Sequence, residues 1–276
     1  MAIVDAVNSI YPRWNSIRCP VVGMIHLVPL AGAPRYGGDP RLVQQRAHED
    51  AAALVEGGVH GLMVENFGDT PFQRDAAPAE TIAQIAAIAG DIRRQFPDVP
   101  LGINVLRNDG PGAMAIAHAV GAQFIRVNIF CGAKLTDQGM IQGNAAEVMR
   151  CRSRLRAEQI SVFADVDVKH SAPLAERMLE DEVSDTLVRG HADALIVSGT
   201  ATGQPTSVSM LRSVKNVARG APVWVGSGVC PETVQSLVVE ADGLIVGTSL
   251  KKDGVPANPV EIQRVRELMG RVNSLA

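Results

Sequence analysis

The sequence predicts an α/β protein folded as a closed (β/α)8 TIM barrel. Three observations lead there. Eight short runs rich in Val and Ile alternate strictly with eight helical patterns, and such alternation makes a parallel sheet with helical crossovers. The runs are apolar almost throughout, as strands covered on both faces must be. The connections are also asymmetric. Helix-to-strand links such as "EGGVHG" and "RGHADA" are short, whereas strand-to-helix links such as "LVPLAGAPRYGGDP", "NFGDTPFQRDAA" and "CGAKLTDQGMIQG" are long and rich in Gly, Pro and polar residues. In a barrel all the long links emerge at one end, where active sites form.

The strands are expected at 20–27, 60–66, 99–106, 123–130, 160–168, 192–199, 221–228 and 241–249. The first helix opens with Asp39 as N-cap and Pro40 at its first position, and stops at Gly57-Gly58. The others are expected over 78–96, 111–121, 144–159, 173–190, 207–220, 231–240 and 259–272, the third bounded by Pro111 and Gly121. An open, doubly wound sheet is the alternative. It would carry a G-x-G-x-x-G fingerprint after the first strand, which residues 27–40 do not match. No linker or composition shift divides the chain, so one domain is expected over 1–276. Residues 1–18 are read as an N-terminal extension forming a short helix under the barrel.

Composition narrows the function classes. Hydrophobic residues make up 46% and charged residues 20%, enough for a large core; aromatics are 4%, so the core is built from Ala, Val, Ile and Leu. The net charge is −3 with both signs mixed, and no basic block suggests nucleic acid as a partner. The apolar runs are far shorter than the roughly 20 residues of a membrane helix, so no membrane insertion is expected. The first twenty residues lack the basic start and apolar centre of a signal peptide, which points to the cytoplasm. Cys19, Cys131, Cys151 and Cys230 are scattered and read as reduced thiols, with Cys131, in a loop, as a candidate nucleophile. A homo-oligomer is compatible with a barrel, but no apolar stripe marks an interface.

Alternation along each strand sorts side chains into two faces. In "FADVDV", Phe163, Asp165 and Asp167 share a face, opposite Val162, Ala164, Val166 and Val168. Since the apolar set must face the helices, the aspartates point into the barrel. The same parity turns His26, Glu65, Asn104, Arg126, Asn128 and Ser198 inward, toward a polar mouth at the strands' C-terminal ends. Lys169 and His170 follow at the rim. Arg126 is expected to neutralise Asp165 or Glu65, and the deeper charges are as compatible with structural ion pairs as with ligand contact.

The seventh strand runs into "VGSGVCPET" and the eighth into "VGTSLKKDG". Gly226, Ser227, Gly228, Gly247 and Thr248 therefore lie where many barrels bind phosphate through backbone N–H groups and a helix N-terminus. Ser198, Gly199 and Thr200, in "SGTATG", would shape the adjoining wall. No cofactor is indicated. A divalent metal held by Asp165, Asp167 and His170 with Glu65 is one option, unsupported by any H-x-H or H-E-x-x-H pattern. The other is acid–base chemistry on a small phosphorylated metabolite, with Asp165, Asp167, Lys169, Glu65 and His26 as catalytic candidates and Asn104, Arg126, Asn128, His170, Ser198, Gly199 and Thr200 as substrate contacts.

The motifs "VVGMIHLVPLAGAPRYGG", "GLMVENFGDTPF", "LGINVLRND", "FIRVNIF", "ADVDVKH", "VSGTATG" and "VGSGV" resemble the BtpA/SgcQ family over nearly the whole chain. The resemblance implies a TIM barrel of the phosphate-binding kind. It says less about activity. The name-giving cyanobacterial member is associated with photosystem I biogenesis, relatives occur in sugar-catabolic operons, and a nucleoside-triphosphatase label has been attached to some. This chain has no G-x-x-x-x-G-K-[ST] loop, so a P-loop mechanism is not expected. Two function classes stand: an isomerase- or lyase-type enzyme acting on a sugar phosphate or nucleotide-like compound, and a non-catalytic assembly or regulatory factor on a barrel scaffold.

Overall fold

The computed structural model describes residues 11–166, 171–199 and 206–275. Eight parallel strands close a barrel: β1 (Val21–His26), β2 (Gly61–Glu65), β3 (Leu101–Asn104), β4 (Phe124–Val127), β7 (Ser161–Val166), β9 (Ala194–Val197), β10 (Val223–Val225) and β11 (Gly243–Val246). Each lies within a predicted apolar run. The helices around them are α1 (Pro40–Glu56), α2 (Ala79–Gln95), α3 (Gly110–Val120), α4 (Ala145–Arg154), α5 (Leu179–Ser184), α6 (Val208–Ala218), α7 (Val234–Val238) and α8 (Ile262–Asn273). Among the described residues, no helix is long and apolar enough to cross a membrane.

Local chemistry sets the helix ends. The Asp39 carboxylate accepts from the Arg41 N–H at 2.8 Å, with Pro40 already at the first helical φ. Asp109 caps α3 through the Gly112 N–H at 2.8 Å, so that helix begins one residue before Pro111. Gly121 ends it at φ 71°, a left-handed conformation that glycine adopts without a Cβ clash.

Parity holds within the described strands. Val162, Ala164 and Val166 join the core between barrel and helices, whereas Val22, Met24, Met63, Phe124, Phe163, Ala194, Ile196, Trp224 and Ile245 fill the barrel interior. The floor of that interior is aromatic. Trp14, in the short 3-10 helix Pro12–Trp14, lies against Phe124 and Trp224, with ring centroids 5.8 and 5.2 Å away. Its indole N–H donates to the His60 carbonyl at 2.9 Å. The expected helix under the barrel is thus a plug. Glycine makes room for it: a Cβ on Gly102 would come within 2.2 Å of the Phe124 ring, and one on Gly243 within 2.5 Å of Trp224.

Three elements depart from expectation. Residues 131–143, read as a loop, form a hairpin of β5 (Ala133–Thr136) and β6 (Gly139–Gln142), and β5 also pairs with β8 (Ala172–Pro173) from the connection after β7. β8 lies some forty residues from β5, so no local signal announces that pairing. The fifth helix begins only at Leu179 and passes into a π-turn, Asp185–Arg189, and the seventh has five residues instead of ten.

Candidate functional site

Strand register builds the mouth. In the parallel ladder His26 is paired with Glu65, Glu65 with Asn104, and Asn104 with Arg126. Paired residues in a ladder point the same way, so these four polar side chains form one inward row across β1, β2, β3 and β4. Asp165 on β7 continues it. The Arg126 guanidinium donates twice to the Asp165 carboxylate, Nε to Oδ1 and Nη2 to Oδ2, each at 2.9 Å. Asn128 Nδ2 donates to the same Oδ2 at 2.9 Å. Arg126 Nη2 also reaches Ser198 Oγ at 3.4 Å. Burial opposes the Arg126 charge, but Asp165 and then Glu65 outweigh it and its pKa is raised. Of the two expected partners, Asp165 is the one that neutralises Arg126.

Glu65 belongs to a second group. Its Oε2 accepts from Asn104 Nδ2 at 2.7 Å, and its Oε1 lies 3.8 Å from His26 Nε2. The His26 ring stacks on Phe67, with centroids 4.4 Å apart. His26 Nδ1 is 3.2 Å from the Pro256 carbonyl oxygen. A carbonyl only accepts, so Nδ1 carries hydrogen and Nε2 is the nitrogen turned toward Glu65.

Both glycine-rich loops close over this pair. A cavity of about 220 Å³ is lined by His26, Glu65 and Arg126 together with the segments 226–230 and 245–249. Gly226 contributes space: its own N–H is taken by the Val197 carbonyl at 2.8 Å, and a Cβ there would lie 3.1 Å from Arg126 Nη2 and 3.2 Å from Ser198 Oγ. Gly247 does the same for the histidine, since a Cβ would lie 2.9 Å from His26 Cε1 and 3.0 Å from Nε2. Ser249 Oγ donates to the Val229 carbonyl at 2.6 Å and ties the two loops together. Ser227 is buried, with its carbonyl accepting from Thr206 Oγ1 at 2.8 Å, while Gly228 and Thr248 are half-exposed on the cavity wall. No long helix starts here: α7 is a single short turn, and Thr248–Leu250 is a 3-10 turn. The expected helix N-terminus is therefore not a feature of these loops.

His26, Glu65, Asn104, Arg126, Asn128, Asp165, Ser198 and Gly199 thus lie at the inner ends of the barrel strands. Asp167, Lys169, His170 and Thr200 lie outside the described residues. Among the described residues, no group of three or more His, Cys, Asp or Glu side chains could hold a metal. Asp165 directs its oxygens at Arg126 and Asn128. Cys131 is turned away from the mouth's chemistry: its thiol donates to the Asp185 carbonyl at 3.4 Å, and burial, then Asp185, push its pKa up. A thiol held protonated in this way is a poor nucleophile.

Parity missed two contributors. Arg107 follows β3 and is buried. Burial pushes its pKa down against Asp165, Asp137 and Glu65, so its guanidinium stands in the field of the mouth carboxylates and of the hairpin tip. Extending the alternation from Asn104 turns position 107 outward, but the strand ends at Asn104. Phe67 shares the parity of Glu65 but lies two residues beyond the end of β2. Other residues of the distinctive motifs are structural. Asn66 and Asp69 stitch the loop after β2 to Leu106 and Leu30, with the Leu106 N–H donating to Asn66 Oδ1 at 2.7 Å and the Leu30 N–H to Asp69 Oδ1 at 2.8 Å. Asn108 brackets the backbone of Ile129 at 2.7 and 2.8 Å.

A closed barrel with a row of polar side chains and two glycine-rich loops at its C-terminal mouth defines a TIM-barrel protein. Within that class the chain belongs to the BtpA family, whose model matches residues 17–274. It is 44% identical to the photosystem I biogenesis protein BtpA of Synechocystis, over 85% of this chain and 81% of that protein. It is 47% identical to an uncharacterized protein of Thermococcus kodakarensis, over 91% of this chain and 94% of that one. Among solved structures, it is similar to the tryptophan synthase alpha chain of Legionella pneumophila, at a TM-score of 0.59 and 13% identity, covering 98% of each chain. It is similar also to phosphoribosyl anthranilate isomerase of Thermus thermophilus, at a TM-score of 0.56 and 13% identity, covering 93% of this chain and 100% of that one. At such identities these two likenesses carry the fold alone.

Proposed function

We propose that this protein is an enzyme that carries out acid–base chemistry on a small phosphorylated metabolite, of isomerase or lyase type. The observation that carries the proposal is the shared cavity: the segments at Gly226–Gly228 and Gly247–Ser249 line the same space as His26, Glu65 and Arg126. A phosphate at the loops would put the rest of a sugar phosphate or nucleotide-like compound against the His26–Glu65 pair. Nε2 is then the atom that takes or returns a proton, Glu65 balances the imidazolium, and Asn104 holds Glu65 in place. The Arg126–Asp165 pair forms the charged floor.

The test is a thermal-shift screen against phosphorylated metabolites, because a ligand that binds only the folded state raises its stability. A hit is expected, and it should vanish in Gly247→Val. A Cβ at Gly247 would lie 2.9 Å from His26 Cε1 and 3.0 Å from Nε2, so the valine crowds the histidine. A hit unaffected by Gly247→Val would place the ligand elsewhere. A Schiff-base route would run through Lys169, and borohydride with the substrate would trap it as a secondary amine; absence of a trapped adduct leaves the acid–base route.

The name of the Synechocystis relative favours a second reading, an assembly or regulatory factor on a barrel scaffold. Such a protein would keep its cellular role in Glu65→Gln. Loss of that role in a folded Glu65→Gln protein argues for chemistry.

A further inference from the structure

The connection from β11 to α8 touches both halves of the cavity. At its start, Gly247–Ser249 line the cavity wall. It then folds back on itself: Lys251 bridges Val260 in antiparallel fashion, the Lys252 N–H donates to the Pro259 carbonyl at 2.8 Å, and the Glu261 N–H to the Leu250 carbonyl at 2.9 Å. Pro256, within that closed loop, presents its carbonyl to His26 Nδ1 at 3.2 Å. One short segment therefore lines the cavity and fixes which nitrogen of His26 faces Glu65.

The base of this segment is held by a buried charge pair. Lys251 is 0% and Asp50 1% exposed, and Lys251 Nζ lies 2.7 Å from Asp50 Oδ2. The other carboxylate oxygen accepts from the Val260 N–H at 2.7 Å and from Arg46 Nε at 3.1 Å. Asp50 sits on α1, far along the chain from the loop it holds. A buried lysine is held in one direction only by a fixed counter-charge, whereas an apolar side chain of equal volume could slide.

Building on the proposed phosphate and proton-transfer roles of the mouth, we propose that residues 247–260 form a strap that couples the anion seat to the tautomer of His26. Asp50 and Lys251 are its positioning residues, acting through the loop without touching the ligand.

The test uses the full chain labelled with 15N-histidine, with the His26 signal assigned by His26→Gln. Unmodified protein is expected to show His26 with hydrogen on Nδ1. Lys251→Met should release it into exchange with the form carrying hydrogen on Nε2, and should weaken binding of inorganic phosphate about tenfold by titration calorimetry. Lys251→Arg, which restores the charge, should recover both. Asp50→Asn keeps an acceptor for Val260 and removes the charge; it is expected to act like Lys251→Met and serves if that variant does not fold. An unmodified protein with hydrogen on His26 Nε2, or a folded Lys251→Met or Asp50→Asn with His26 unchanged, overturns the strap. If no variant, nor the unmodified chain, binds phosphate while the tautomer still responds to Lys251→Met, the phosphate seat falls and the strap stands for His26 alone.

Discussion

Replacing Asp165 by leucine tests whether the floor of the mouth is one coupled unit. The Arg126 and Asp165 side chains are 3% and 0% exposed, and their contact is a two-bond fork at 2.9 Å. In Asp165→Leu the guanidinium stays buried without its counter-charge, and Asn128 Nδ2 loses its acceptor. Breaking a buried pair from one side costs about 3–5 kcal/mol. For a domain of this size that is a fall in Tm of roughly 6–20 °C. Arg126→Met alone should be comparably damaging, since it strands the carboxylate. The double variant should regain most of the loss, because an apolar pair of similar volume needs no desolvated charge. The assay is urea unfolding of all four proteins by far-UV circular dichroism, checked by the fluorescence of Trp14 and Trp224 in the barrel floor. A coupling energy well above ~1 kcal/mol is expected from the cycle. Additive losses, or a loss below ~1 kcal/mol in Asp165→Leu, would show that Arg126 is satisfied by other groups and that the pairing is incidental.

Other expectations follow from the same geometry. The Cys19 thiol is pushed up to about 12, by burial first and then by Asp242. The unfolded chain therefore loses this proton at lower pH than the folded one. The stability contributed is full below about pH 9 and falls toward pH 12, and Cys19→Val should show a shallower fall over that range in urea melts. Gly68→Ala would place a Cβ 2.5 Å from Pro29 N and 2.8 Å from the Leu27 carbonyl oxygen. Backbone cannot yield as a side chain can, so a loss of about 1–3 kcal/mol is expected by the same measurement. Gly90→Ala is the control, because a Cβ there meets nothing closer than 3.6 Å in mid-helix; it should stabilise by about 0.5–1 kcal/mol.

How far the sequence could be read depended on how local the signal was. The helix start at Asp39 and the stop at Gly121 are written in a few adjacent residues. Parity worked for His26, Glu65, Asn104, Arg126 and Asp165 because a strand alternates with a period of two whatever its neighbours do. It gave no guide at Phe67 and Arg107, which lie two and three residues beyond their strands' ends. The pairing of β5 with β8 was missed because β8 arrives from another connection.

The amino-acid pattern by itself determined a barrel of eight strands, which side of each strand faces inward, and that the C-terminal ends are polar. These follow from periodicity and turn chemistry within single segments. Only the tertiary structure decided the pairings: Asp165 and not Glu65 beside Arg126, Glu65 between Asn104 and His26, Pro256 against His26 Nδ1, and Lys251 on Asp50. The physical reason is the closure of the sheet. Inter-strand register and the return of the last loop over the first strand set distances of about 3 Å between residues tens to hundreds of positions apart, and a hydrogen bond is decided at that scale.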